Sequence, residues 1–165
     1  MSRCLLALSL VFLPVLPVKA QNQPLRATHL DSVFMSLVDV DSQAGPIEGI
    51  RSASAHVFMA HPEEGLFGQS SVDYLNVQAQ YDCRVPGRWR MKSMNLYSLE
   101  RSSKPIETVS GEGLDWKMAS TQTPSWATWE AVCRQKFDET EVSFDQTSSP
   151  LEILRRYRQL LRTAS

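Results

Sequence analysis

Gln80-Tyr81-Asp82-Cys83-Arg84-Val85-Pro86-Gly87-Arg88-Trp89-Arg90 opens the decisive stretch, and Pro124-Ser125-Trp126-Ala127-Thr128-Trp129-Glu130-Ala131-Val132-Cys133 closes it. The first piece ends an alternating run and crosses Val85-Pro86-Gly87-Arg88, where the Pro-Gly pair is turn chemistry. It then returns through a second alternating run to Tyr97. The second piece starts with Thr123 before Pro124, an N-cap followed by proline at the first helical position. Trp126, Trp129 and Cys133 recur at i, i+3 and i+7, which is one face of a helix. Cys83 therefore sits on a strand and Cys133 on a helix. A bond between them holds that helix, with Trp126 and Trp129, against the sheet. The predicted class is α+β: an antiparallel β-sheet with a helix packed on one face through a disulfide, plus a C-terminal amphipathic helix.

The case for that bond starts at the N-terminus. Arg3 precedes an apolar run from Cys4 to Val18, and Val18-Lys19-Ala20 is a small-x-small pattern before Gln21. This is the layout of a secretory signal peptide cleaved between Ala20 and Gln21. The run is shorter than the ~20 apolar residues a spanning helix needs, and Pro14 and Pro17 interrupt it. Cleavage removes Cys4 and leaves Cys83 and Cys133, an even count in an oxidising compartment. It also removes Arg3 and Lys19, taking the formal charge of the 165-residue chain from −1 to −3. A mildly acidic mature chain offers no electrostatic footprint for nucleic acid.

Outward from the centre, residues 21–32 read as a polar N-terminal arm and residues 33–137 as one domain. Ser32-Val33-Phe34-Met35-Ser36-Leu37-Val38-Asp39-Val40 is rich in strand formers, and so is the run from Ser52 to Ala60. His61-Pro62-Glu63-Glu64-Gly65 is expected to break that second strand. In the run from Val72 to Cys83, Leu75, Val77, Ala79, Tyr81 and Cys83 form the expected core face. Tyr74, Asn76, Gln78 and Gln80 share the other. The alternation from Trp89 to Tyr97 does not assign an inward side. Residues 106–109 add a short strand, and hairpin-scale spacing makes the sheet antiparallel.

Residues 138–149 are polar and acidic and read as a linker. Ser149-Pro150-Leu151-Glu152 is a capping box that opens a basic amphipathic helix over 150–165. Leu151, Leu154 and Leu161 keep its apolar stripe, and Arg155 and Arg158 lie among the basic residues beside it. Such a helix serves as a dock on its own domain or on a second copy, as a peripheral contact with an anionic membrane, or as an occupant of a partner's groove.

No catalytic pattern is present. Asp39-Val40-Asp41-Ser42-Gln43-Ala44-Gly45 departs from a calcium loop, with Gln43 at the fifth position, Ala44 in place of the glycine at the sixth and Ile50 in place of the bidentate Glu at the twelfth. His29, His56 and His61 lack zinc spacing. Neither G-x-S-x-G nor S-x-x-K nor a phosphate-cradling glycine loop occurs. The sequence calls for no cofactor, no metal and no enzymatic role.

Taken in order, Gln80-Tyr81-Asp82-Cys83-Arg84, Arg88-Trp89-Arg90, Tyr97, Trp116, Pro124-Ser125 and Glu130-Ala131-Val132-Cys133 resemble the bacterial surface-adhesin protein E family. Val38-Asp39 and Val57-Phe58 are similar to its first strands, so the resemblance covers roughly residues 33–133. It implies an antiparallel sheet with a disulfide-held helix. It also implies a bacterial periplasmic or cell-surface protein and adhesion to host extracellular-matrix and plasma proteins. Two features depart from the family: the signal peptide lacks a lipobox, so no lipid anchor is expected, and a basic helix follows Cys133. The leading expectation is a secreted, non-enzymatic adhesin-like binding module. The alternative is a periplasmic structural or envelope-associated protein that forms a homo-oligomer through its C-terminal helix.

Overall fold

The computed structural model describes residues 25–39, 47–63, 71–99, 101–111, 114–137, 142–145 and 147–164. Its strands are β1 (Leu25–Leu30), β2 (Phe34–Val38), β3 (Ile50–Glu63), β4 (Val72–Asp82), β5 (Arg88–Tyr97), β6 (Glu107–Ser110), β7 (Lys117–Met118) and β8 (Ser143–Phe144). Two helices, α1 (Pro124–Arg134) and α2 (Pro150–Ala164), complete it. The strands form one antiparallel sheet in the order β6-β5-β4-β3-β2-β1-β8. The two-residue strand β7 pairs with β5 at Arg88 and Trp89, on the edge that β6 uses farther along.

Cross-strand register assigns every side chain to one of two faces, because opposed residues point the same way. Met35, Phe58 and Tyr74 are successive neighbours across β2, β3 and β4, so they share a face. Ile153, Leu154 and Tyr157 of α2 bury against that set, with Leu25, Ala27, Leu37 and Phe144. Val38, Ala55 and Val77 are likewise aligned on the opposite face. There Trp129, Ala131 and Val132 of α1 pack on Val38, Ala53, Ala79 and Tyr81. The protein is thus three layers, with one helix on each side of the sheet.

Helix α1 is fixed at both ends. The Thr123 hydroxyl accepts from the Trp126 amide at 3.3 Å, and Pro124 occupies the first turn. Gln135 ends the helix in the left-handed region at φ 56°, its N–H donating to the Ala131 carbonyl. Between the caps, Cys133 is bonded to Cys83 with Cα atoms 5.2 Å apart. The fully buried Trp129 donates its indole N–H to the Asp82 carbonyl at 3.1 Å. Arg51 of β3 donates to the Val132 carbonyl at 2.8 Å. Gly87, at φ 74°, lets Trp126 lie on the β4–β5 turn; a Cβ there would meet the indole at 2.8 Å.

The structure corrects several boundaries. Six of the twelve residues expected to form a loose arm are strand β1, because Leu25 and Ala27 bury under α2 and Arg26 pairs across to Val38. The expected linker contains β8, whose Phe144 pairs with Leu25 and is buried. Residues 138–141 of that linker lie outside the described residues. The C-terminal helix is no appendage: it shares the core of the sheet, and the Tyr157 hydroxyl donates to the Asp31 carbonyl at 2.8 Å. Strand β3 runs through Pro62 to Glu63, because the pairing of β3 with β4 shifts between Phe58 and Glu63 and asks no amide of the proline there. Tyr74, expected to face away from the core, is buried because α2 covers that side of β4 at its start.

Since α2 completes the core, Leu154→Ala is expected to cost about 2–5 kcal/mol of unfolding free energy, the range for emptying a packed leucine site. Arg155→Ala, at an exposed position of the same helix, is expected to stay within about 0.5 kcal/mol. Urea titration of both variants checks this.

Candidate binding face

Helix α2 covers its face over β1 to β3 and the start of β4. Beyond it the register lays out polar rows. His56, Asn76, Asn95 and Thr108 form one row across β3 to β6. Ser54, Gln78, Ser93 and Ser110 form the next. Ser52, Gln80 and Arg90 form the third, and Ile50, Asp82, Arg88 and Met118 the fourth. At the described spacing of strands, about 4.8 Å, four strands make a surface roughly 15 Å wide.

Local sequence explains why this face stays polar. Along the open stretch Ala53 and Ala55 of β3, Val77 and Ala79 of β4 and Met94 of β5 go to the α1 face and their polar neighbours to this one, while Phe58 and Tyr74 on the polar parity lie where α2 covers the sheet. The pairing of β4 with β5 shifts between Gln78 and Ala79, where Lys92 is the additional residue on β5. Without that bulge, Arg88 and Arg90 would sit on the opposite face from Ser93 and Asn95. Gly111 seals the bulge: its N–H donates to the Lys92 carbonyl at 2.8 Å, and a Cβ would collide with the Met91 backbone.

The rows are knitted together. The Gln78 amide donates to the Ser54 hydroxyl. Thr108 donates to Asn95 at 2.7 Å, and Arg90 donates through Nε and Nη2 to the Gln80 carbonyl oxygen at 2.9 and 2.8 Å. The Tyr74 hydroxyl lies 2.7 Å from His56 Nδ1. Burial pushes the Tyr74 hydroxyl well above its ordinary pKa. Burial also lowers the His56 pKa, against the opposing pull of the Asp39 charge. A neutral imidazole accepting the tyrosine proton at Nδ1 carries its own proton on Nε2.

At the fourth row the chemistry becomes ionic. Asp82 is only 2% exposed, roofed by the Arg84 side chain. Arg84 donates to it from the backbone N–H, Nε and Nη2 at 3.1, 2.9 and 3.1 Å. Arg88 approaches the same carboxylate at 3.5 Å. The Arg84 side-chain hydrogen bond is the main cause that holds this carboxyl below the usual range, against the cost of burial. Trp116 lies beside the group, with the Arg88 and Arg90 guanidinium carbons 5.0 and 4.7 Å from its ring centre.

Among the residues singled out from sequence, Cys83, Cys133, Trp126 and Trp129 come together at the end of β4, on the face away from these rows. Leu151 and Leu161 are half-buried, Leu154 is buried, and Arg155 is exposed. Arg158 donates from Nε to the Ala60 carbonyl at 3.0 Å, so it docks α2 on β3. Ala20 and Gln21, the expected cleavage site, lie outside the described residues, as do residues 40–46 of the turn weighed as a calcium loop. The polar rows were half legible: Asn76, Gln78 and Gln80 share a parity, but serines on β3 and β5 join them only through register. Among the described residues no three His, Cys, Asp or Glu side chains cluster as metal ligands, and no helix is long and apolar enough to cross a membrane. Comparison with protein-family models, curated proteins and solved structures finds no match to this chain.

The depressed His56 pKa has a definite sign. Below about pH 6.5 the unfolded chain binds a proton that the folded histidine resists, so stability falls as the pH drops through the unfolded pKa. His56→Gln is expected to flatten stability between about pH 7.5 and 5.5 relative to the parent chain, measured as urea midpoints across that range.

Proposed function

We propose that this chain is an exported, non-enzymatic binding module of the surface-adhesin protein E type, acting in the periplasm or at the cell surface of a bacterium without a lipid anchor. One observation carries the reading: a four-strand face lined with amides, hydroxyls and two arginines is left uncovered by either helix. Burying such a face would cost unmet hydrogen bonds, whereas a ligand with matching groups satisfies them. The paired cysteines support export, since such bonds persist in oxidising compartments. The signal-peptide pattern before Gln21 points the same way. The order of motifs from Asp82-Cys83 to Val132-Cys133 supports the adhesin type and, with it, host extracellular-matrix or plasma proteins as partners.

The packing weighs against the alternative of a structural protein that self-associates through its last helix. Ile153, Leu154 and Tyr157 spend their apolar surface on the chain's own sheet. What α2 leaves exposed is chiefly Arg155, Arg156, Arg162 and Leu160. The same burial removes the stripe that would insert at a membrane surface.

The oxidised mature chain is expected to bind at least one immobilised matrix or plasma protein saturably in surface plasmon resonance while running as a monomer in light scattering. No saturable binding to any of them, together with a dimer that Leu160→Asp on the exposed side of α2 abolishes while the fold is kept, would replace this reading with the structural one.

A further inference from the structure

We propose that the polar face of β3–β6 binds an extended polysaccharide bearing carboxylate groups, such as a uronic-acid chain; the proposal rests on the binding-module reading and names its ligand class. The first argument is chemical matching. Sugar hydroxyls both donate and accept, and so do the primary amides and hydroxyls of Asn76, Gln78, Ser54 and Ser93. Gln78, at the centre, is exposed, and its neighbours on the row are reachable beside it. These groups repeat from strand to strand at about 4.8 Å, close to the length of one pyranose unit in an extended chain. A repeating polymer can therefore address the same group on successive strands.

The second argument is charge. The first two rows carry no formal charge apart from that available to His56, which burial keeps neutral. At the fourth row Arg84 and Arg88 share one carboxylate, Asp82, with the Glu48 charge also acting on Arg84, and Arg90 of the third row adds a further positive charge. The local balance is positive, and the side chain of Arg88 is 37% exposed. Arg90 gives its Nε–Nη2 edge to Gln80 and lies over Trp116, so its remaining Nη1–Nη2 edge is fixed before a ligand arrives. A preset guanidinium fork fits a planar carboxylate in two parallel hydrogen bonds. Confinement of the positive charge to one end suits a sparse anion. A densely sulfated chain would lay its charges over rows that hold no cation.

The third argument is what the face lacks. Protein interfaces are centred on apolar and aromatic anchors. Among the described residues of these four rows the exposed large apolar side chain is Met118, at the rim of the fourth row, and the half-buried Trp116 beside it is taken up by Arg88 and Arg90.

The test uses the oxidised mature chain in isothermal titration calorimetry with oligogalacturonate and hyaluronan oligosaccharides. Dextran serves as the neutral comparison and heparin as the sulfated one. Gln78→Asp and Arg90→Met change the face; Lys117→Ala, exposed and paired beside Trp89 on the other side of the sheet, is the control. Circular dichroism establishes that each variant is folded. The expected result is saturable binding of a uronate chain, at least tenfold weaker binding of dextran and heparin, and at least tenfold loss in both face variants with none in the control. Binding of heparin as tightly as uronates, indifference to Gln78→Asp and Arg90→Met, or no glycan binding at all would overturn the proposal. If glycans fail while enzymatically deglycosylated matrix proteins are still bound, the binding-module reading survives; if both fail, both readings fall.

Discussion

The covalent bond between Cys83 and Cys133 fixes where α1 crosses the sheet, and the remaining contacts of that end of the molecule are arranged around it. It ties the first residue beyond β4 to the last turn of the helix, closing fifty residues of chain. In the chain-entropy picture a loop of that size contributes about 4 kcal/mol. The bond acts at the same point as three other constraints. Trp129 donates to the Asp82 carbonyl, Arg84 and Arg88 neutralise the Asp82 carboxylate, and Trp126 rests on Gly87. Position 82 thus serves both faces: its carbonyl receives the helix from one side, and its side chain anchors the arginine row on the other.

That double use explains how one short turn relates the fold to the candidate binding face. The sheet needs a helix on each side to bury its apolar residues, and it has two. They do not cover equal areas. Helix α1 spans β1 to β4 near the disulfide end, and α2 lies over β1 to β3 at the opposite side of the sheet. The quadrant left open is made of serines, asparagines and glutamines, which are stable in contact with water because their hydrogen bonds can be met there. The bulge at Lys92 turns Arg88 and Arg90 onto this quadrant, and Trp116 holds them in place.

The sequence made the centre of this fold readable because its signals are local. Thr123-Pro124 marks a helix start, the spacing of Trp126, Trp129 and Cys133 defines a face, and the two cysteines that remain outside the expected signal peptide leave a single pairing. The periphery was not readable for the same reason. Leu25 and Ala27 look like isolated apolar residues in a polar arm until Leu37 and Phe144 lie beside them. Leu154 and Tyr157 mark α2 as amphipathic, but periodicity does not say which surface receives the stripe. Ile153 deepens it in a way the leucine spacing alone did not single out. The candidate binding face depended on register most of all. A one-residue bulge decides whether Arg90 stands beside Gln80 or on the far side of the sheet, and no residue near Lys92 announces it.

The most direct test of the central claim is amide hydrogen exchange of the oxidised and reduced protein, compared residue by residue. The disulfide clamp predicts that reduction deprotects α1 and the turn after Asp82 together, while α2 and its partners β1 to β3 keep most of their protection. Retention of full protection across α1 in the reduced protein would contradict the account and assign the helix's position to packing alone.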